Sequence, residues 1–325
     1  MKLPRRAFLQ FAGTALAAPA CKAATAAGFP ARPITMIVPF AAGGIGDTVG
    51  RVVADRMRGS LRQPVIVENI AGADGSIGLG RVARARPDGY TIDLGVMSTH
   101  VLNGAFYSLQ YDVLNDFVPI SLLASFPFVL FTRKTMPAKD LNELISWLKA
   151  NWNSASAGFA TTASHLVTAL FQTQTDTQFV LVPYRGAAPE MQDLMAGRID
   201  LSFQPSDGLS LARAGIVKAL TLTSDMRLAV APDIPTFREM GLRELSFSAW
   251  FGLFAPRGTP ADIIRSLNAA AVEVLADPAV QARLAELGME IVPAEQQTAD
   301  ALTALVVSDA ERWWPIIKKS GIRGK

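Results

Sequence analysis

Twice in its first third the chain runs from a short apolar stretch through a glycine loop into a helix pattern. Ile34 to Phe40 reads as a buried strand, and Ala41-Ala42-Gly43-Gly44-Ile45-Gly46 follows it. Val49, Val52, Val53 and Met57 then fall at i, i+3, i+4 and i+8, one face of a helix for which Asp47 or Thr48 is the expected cap. Pro64 to Glu68 reads as a second strand, Ala71-Gly72-Ala73-Asp74-Gly75-Ser76 as a second loop, and about Ile77 to Ala85 as a second helix. Thr91 to Met97 is a third strand. Strands alternating with helices across short loops predict an α/β fold with a parallel, doubly wound sheet.

The alternation stops near Ala124 and resumes after Arg133. A strand from Phe128 to Phe131 leads to a helix over about Asp140 to Trp152, with Leu141, Leu144, Ile145 and Leu148 on its apolar face. The later strands are Ser156 to Ala160, Phe179 to Pro183, Ile199 to Phe203 and Lys218 to Thr223. Helices are expected over Ser164 to Phe171 and Pro189 to Ala196, with Gly197 as a stop. Ser248 to Ala255 is one more strand, and beyond Pro260 the pattern is helical, broken at Asp277-Pro278 and near Gly288 to Glu295. Those last helices have no sheet of their own and need the first one as a partner. At 325 residues the chain is long enough for two cores. The expected division is residues 28–126 with 248–325 in domain 1 and 127–247 in domain 2. Crossings near Leu123 to Phe131 and Ser246 to Phe254 would form a two-stranded hinge, suited to a cleft that closes.

Residues 1–27 read as an export signal. Arg5 and Arg6 precede an apolar, Ala-rich run from Phe11 to Ala20, too short to span a bilayer, and Ala18-Pro19-Ala20 suits cleavage. Both a twin-arginine and an ordinary secretory signal fit, and either predicts a periplasmic protein. Cys21, the single cysteine, is a candidate for lipidation, although Ala-Pro-Ala is a poor lipoprotein box. Four of the 31 basic residues, Lys2, Arg5, Arg6 and Lys22, lie in this segment, so its removal turns a net charge of +3 into 27 basic against 28 acidic residues, or −1. No nucleic-acid partner is expected of such a surface.

The two glycine loops place helix-start amides at the carboxyl edge of one sheet, where anions bind. Glycines there let a ligand approach the backbone. Neither loop keeps P-loop or dinucleotide spacing, and tight turns alone would also use glycine. His100 and His165 are the candidates for acid–base work, but no nucleophile–base spacing surrounds them, and no metal or cofactor site is expected. Trp250, Trp313 and Trp314 read as packing residues.

The chain resembles the tripartite tricarboxylate transporter receptor family, the Bug or TctC-like binding proteins. The resemblance rests on Val38-Pro39-Phe40-Ala41-Ala42-Gly43-Gly44-Ile45-Gly46-Asp47, Val67-Glu68-Asn69, Pro87-Asp88-Gly89-Tyr90 and Asp116-Phe117-Val118-Pro119-Ile120. In the second half it rests on Ser164-His165-Leu166, Pro183-Tyr184-Arg185-Gly186, Pro232-Asp233-Ile234-Pro235-Thr236 and Ala255-Pro256-Arg257-Gly258-Thr259-Pro260. It implies a two-domain, type II periplasmic binding protein fold and a receptor rather than an enzyme. By the same resemblance one ligand carboxylate is held by Phe40, Ala41, Gly43, Gly44, Asp47, Ala73, Asp74, Gly75, Ser76 and Ser98. Thr161, Ser164, His165, Arg185, Gly186, Ala187 and Asp207 contact the rest of the ligand. The expected ligand is a di- or tricarboxylate, an aromatic acid or an acidic amino acid. The expected partners are membrane permease subunits or a sensor kinase, with the receptor a monomer. Ala157-Gly158-Phe159-Ala160-Thr161, Ala169 and His100 depart from the family pattern near the expected cleft.

Overall fold

The computed structural model describes residues 28–320; the expected export signal and Cys21 lie outside the described residues. The elements in chain order are β1 (Ile34–Val38), α1 (Ile45–Leu61), β2 (Val65–Asn69), α2 (Ser76–Ala83), β3 (Thr91–Val96), a wide turn at Ser98–Leu102, α3 (Asn103–Phe106), β4 (Phe117–Phe126) and β5 (Phe128–Arg133). Next come α4 (Leu141–Ala150), β6 (Ser156–Phe159), α5 (Thr162–Thr175), β7 (Val180–Pro183), α6 (Ala187–Met195), β8 (Leu201–Pro205), α7 (Leu209–Arg213) and β9 (Val217–Leu222). The chain ends in β10 (Ala249–Pro256), α8 (Ala261–Ala276), α9 (Pro278–Glu286), β11 (Glu290–Ile291) and α10 (Ala299–Ser320).

These strands form two sheets, ordered β2-β1-β3-β10-β4-β11 and β7-β6-β8-β5-β9. The expectation of purely parallel sheets does not hold. β1, β2 and β3 run parallel, as do β6, β7 and β8, but β10 is antiparallel to β3 and β4, and β5 is antiparallel to β8 and β9. The reason is connectivity: β5 and β10 arrive from the other sheet and insert with reversed direction. The strand at 117–126 was not anticipated, because Pro119 and the absence of alternation hide it.

Each sheet with the helices packed on it makes a lobe. The expected docking of the C-terminal helices on the first sheet is seen, with α8 against α1 and β4 and α10 against β4. Trp250 and Trp313 are buried there, and the Trp250 indole N–H donates to Asp309 at 2.8 Å. The Trp314 indole N–H donates to the Val101 carbonyl at 2.9 Å.

The chain passes between lobes at Pro127 and again after Phe247. The two passages are tied together. Phe128 N–H donates to Thr223 Oγ1, Thr223 N–H to the Phe128 carbonyl, and Phe247 N–H to the Thr223 carbonyl, at 2.9, 2.9 and 2.7 Å. A pair of short backbone links, each hydrogen-bonded to Thr223, has the construction of a hinge.

Candidate functional site

In the first loop the helix starts three residues earlier than a cap at Asp47 would place it, and four earlier than one at Thr48. Gly44, with extended backbone at φ −84° and ψ 176°, is the cap, and Asp47 sits at the third helical position. Its carboxylate accepts the Gly43 N–H at 2.9 Å and pairs with Arg51 at 2.9 Å. Burial pushes the Asp47 carboxyl upward, but the hydrogen bonds from Arg51, Gly43 and Asn69 outweigh it and hold it below the ordinary range. Asp47 therefore shapes the loop, and the Gly43 amide is already spent. The amides of Ile45 and Gly46, at the start of α1, have no partner within the helix. Ala41 to Gly44 are exposed, and a Cβ on Gly44 would meet only the Ala41 carbonyl oxygen, at 3.7 Å.

The second loop turns through left-handed backbone at Gly72, Ala73, Asp74 and Gly75, with φ of 130°, 46°, 49° and 83°. Gly75 and Gly78 are glycine because the two loops touch. A Cβ at Gly75 would stand 3.2 Å from the Pro39 carbonyl oxygen, and one at Gly78 3.1 Å from Pro39 Cα. Asn69 ties the loops further by donating to the Phe40 carbonyl at 3.1 Å while accepting from Arg51 at 3.2 Å. Arg51 and Asn69 are thus loop-building residues; Asn69 ends the Val67-Glu68-Asn69 stretch, while no sequence motif marked Arg51.

Ser98 opens the wide turn after β3 and is buried. Since β1, β2 and β3 are parallel, both loops and Ser98 share one sheet edge. His100, two residues on, points into the core instead. It stacks on Phe254 at 3.8 Å between centroids and lies 3.6 Å from Asp93.

In the second lobe, β6, β7 and β8 likewise end on one edge. Thr161 follows β6, Tyr184 to Ala187 follow β7, and Asp207 follows β8. Thr161 and Ser164 form a capping box at the start of α5, with Thr161 Oγ1 accepting the Ser164 N–H at 3.1 Å and Ser164 Oγ accepting the Thr161 N–H at 3.0 Å. Their hydroxyls are engaged in holding the helix end. His165 stacks on Phe159 at 4.1 Å and lies 5.8 Å from the Phe106 ring of the first lobe. Arg185 is exposed, and its side chain makes no ion pair or hydrogen bond among the described residues. Gly186 and Ala187 begin α6. Burial raises the Asp207 carboxyl to about 6, against the pull of its own and the Gly208 amides. Glu190 was not anticipated. It lies on the buried face of α6, accepts from the Ser202 hydroxyl, and is raised by that burial to about 8.

The two edges meet. Asp74 Oδ2 accepts the Thr162 N–H of α5 at 2.7 Å, and the Thr162 hydroxyl donates to Asn103 Oδ1 at 3.0 Å. A second contact joins the Ser206 hydroxyl to the Leu287 and Gly288 carbonyls, each at 3.0 Å. The glycine loops and the α5 start thus face one another across the lobes. Two concave pockets, of about 540 and 560 Å³, lie elsewhere, one among Val272, Leu275, Met289 and Val292 and the other beside Lys134, Lys139, Arg213 and Lys218. No cluster of three or more metal-ligating side chains occurs among the described residues.

Residues 49–322 match the model of the tripartite tricarboxylate transporter family receptor. The chain belongs to that family. BugT of Bordetella pertussis is 36% identical over 91% of this chain and 92% of its own length. Among solved structures, the periplasmic binding protein BugD is similar with a TM-score of 0.85 at 34% identity, covering 91% of this chain and 100% of its own. MatC from Rhodopseudomonas palustris, solved with bound malate, has a TM-score of 0.84 at 36% identity, over 89% of this chain and 100% of its own. The two lobes with two crossing strands are the type II binding-protein fold of this receptor family. No helix among the described residues is long and apolar enough to cross a membrane.

Proposed function

We propose that this receptor is periplasmic and captures a small carboxylate metabolite in the cleft between the lobes, for a tripartite tricarboxylate-type permease. The carrying observation is the single edge formed by both glycine loops, with the helix-start amides of α1 behind an exposed front and the α5 start opposite. A ligand carboxylate fits this edge because backbone amides and a helix dipole supply the counter-charge with no fixed cation. In this reading Phe40, Ala41, Gly44, Ala73, Gly75, Ser76 and Ser98 surround that carboxylate, with Gly43 and Asp47 holding the loop. Thr161, Ser164, His165, Arg185, Gly186, Ala187 and Asp207 border the rest of the ligand. Residues 28–126 with 248–325 and residues 127–247 act as the two closing domains, and residues 1–27 are the export signal. The malate held by MatC supports a carboxylate as the ligand class.

A thermal-shift screen of mono-, di- and tricarboxylates and amino acids tests this on the purified mature chain. A true ligand raises the melting temperature with concentration, by the equivalent of about 2.7 kcal/mol at a hundred times its Kd. If no acid in the screen moves the transition, the carboxylate reading fails.

A further inference from the structure

Asp74 belongs to the first lobe, yet its side chain ends on the second. Its Oδ2 accepts the Thr162 N–H at 2.7 Å, the first amide of the 14-residue helix α5. The Ser164 amide of that helix end is already supplied, since Thr161 Oγ1 accepts it. Thr162 is where an incoming anion would otherwise bond. The Asp74 backbone is held from behind by Asn103, which is fully buried. Asn103 Nδ2 donates to the Asp74 carbonyl at 2.8 Å and to Ser76 Oγ at 3.2 Å, while its Oδ1 accepts the Thr162 hydroxyl. Asp74 also keeps left-handed backbone, φ 49°, which a residue with a Cβ adopts at some cost. A glycine would turn there without that cost, so the carboxylate is the part of this residue that the turn itself does not need.

We propose that Asp74 is a tethered carboxylate that fills the amide end of α5, bridging the lobes and denying that end to a second carboxylate of the ligand. It is then a specificity-determining residue. A dicarboxylate entering the cleft meets a negative charge at the α5 start and has only Arg185 and the start of α6 as its second anchor. A ligand whose far end is uncharged meets no such opposition. The effect on ligand choice rests on the carboxylate-receptor reading above; the bridge between lobes does not.

Asp74→Gly removes the carboxylate and suits the backbone, and Asp74→Asn keeps the shape without the charge. Affinities of wild type and both variants for succinate and adipate are compared with those for butyrate and hexanoate by calorimetry. Ligand-free scattering of each protein reads lobe separation. In Asp74→Gly the dicarboxylate-to-monocarboxylate affinity ratio is expected to rise about tenfold, the worth of one charge-assisted hydrogen bond. The ligand-free radius of gyration is expected to grow. Asp74→Asn should raise the ratio with a smaller change in radius. A ratio unchanged in both variants overturns the proposal. If neither wild type nor variant binds any of the four acids, the carboxylate reading fails, and scattering decides the bridge: a larger radius in Asp74→Gly upholds it and an equal one overturns it.

Discussion

Asp93 Oδ2 and His100 Nε2 stand 3.6 Å apart in the first lobe, beyond the reach of solvent. β3 carries Asp93 opposite Phe254 of β10, and His100 lies flat on that same Phe254 ring. Burial lowers the imidazole to about 3 and raises the carboxyl well above its ordinary value, so both groups are driven toward their neutral forms. The stability tied to neutral His100 is present above about 6.5 and is lost as pH falls toward 3. That tied to protonated Asp93 is present in acid and is lost as pH rises through its elevated value.

Asp93→Asn should therefore stabilise the protein at pH 8, by about 1–3 kcal/mol, because it removes a carboxylate with no hydrogen-bond partner among the described residues. The gain should shrink toward pH 4. Denaturant melts at both pH values check this, and a less stable variant at pH 8 would point to an imidazolium paired with the carboxylate.

Glu190 offers a cleaner pH signature. Its rise from 4.5 to about 8 means the folded state keeps the proton that the unfolded chain releases. Stability from this group is full below 4.5 and is lost as pH rises through about 8, with an upper limit of about 5 kcal/mol. Glu190→Gln should match wild type near pH 5 and exceed it increasingly toward pH 9. Parallel stability curves for the two proteins would refute this.

Gly44→Val should abolish ligand binding and spare the fold. Its φ of −84° suits any residue, and the added side chain would enter open space in front of the α1 amides. Loss of two charge-assisted bonds lowers affinity by about a hundredfold or more. Circular dichroism and calorimetry together read the outcome; an unchanged affinity would place the ligand elsewhere.

Arg185→Ala should weaken dicarboxylates by about tenfold and leave monocarboxylates alone, since the exposed guanidinium has a second ligand charge as its expected partner. Equal losses for both classes would show that Arg185 acts through the structure of the α6 start.

Much of the site's outline was readable from local pattern. The glycine loops, the helix faces and the stop at Gly197, where φ is 72°, depend on neighbours within a few residues. Local sequence points to Asp47 as the cap, three residues past the observed cap Gly44, because a carboxylate at a helix start can serve as cap or as third-position acceptor and neighbours alone do not separate the two. Glu190 and Asn103 carried no signal at all: their burial comes from strands and helices distant in the chain.

From the sequence alone came the α/β alternation, two loops able to bring amides to one edge, and membership of a receptor family. The alternation and the loops follow from periodicity and backbone freedom, which are local, whereas the family is carried by the resemblance of particular residue stretches. Tertiary structure decided that β5 and β10 insert in reverse, that Asp74 reaches across to Thr162, and that His100 faces Asp93 rather than a ligand. Those outcomes depend on which distant surfaces are pressed together, and packing settles them only when the whole chain has folded.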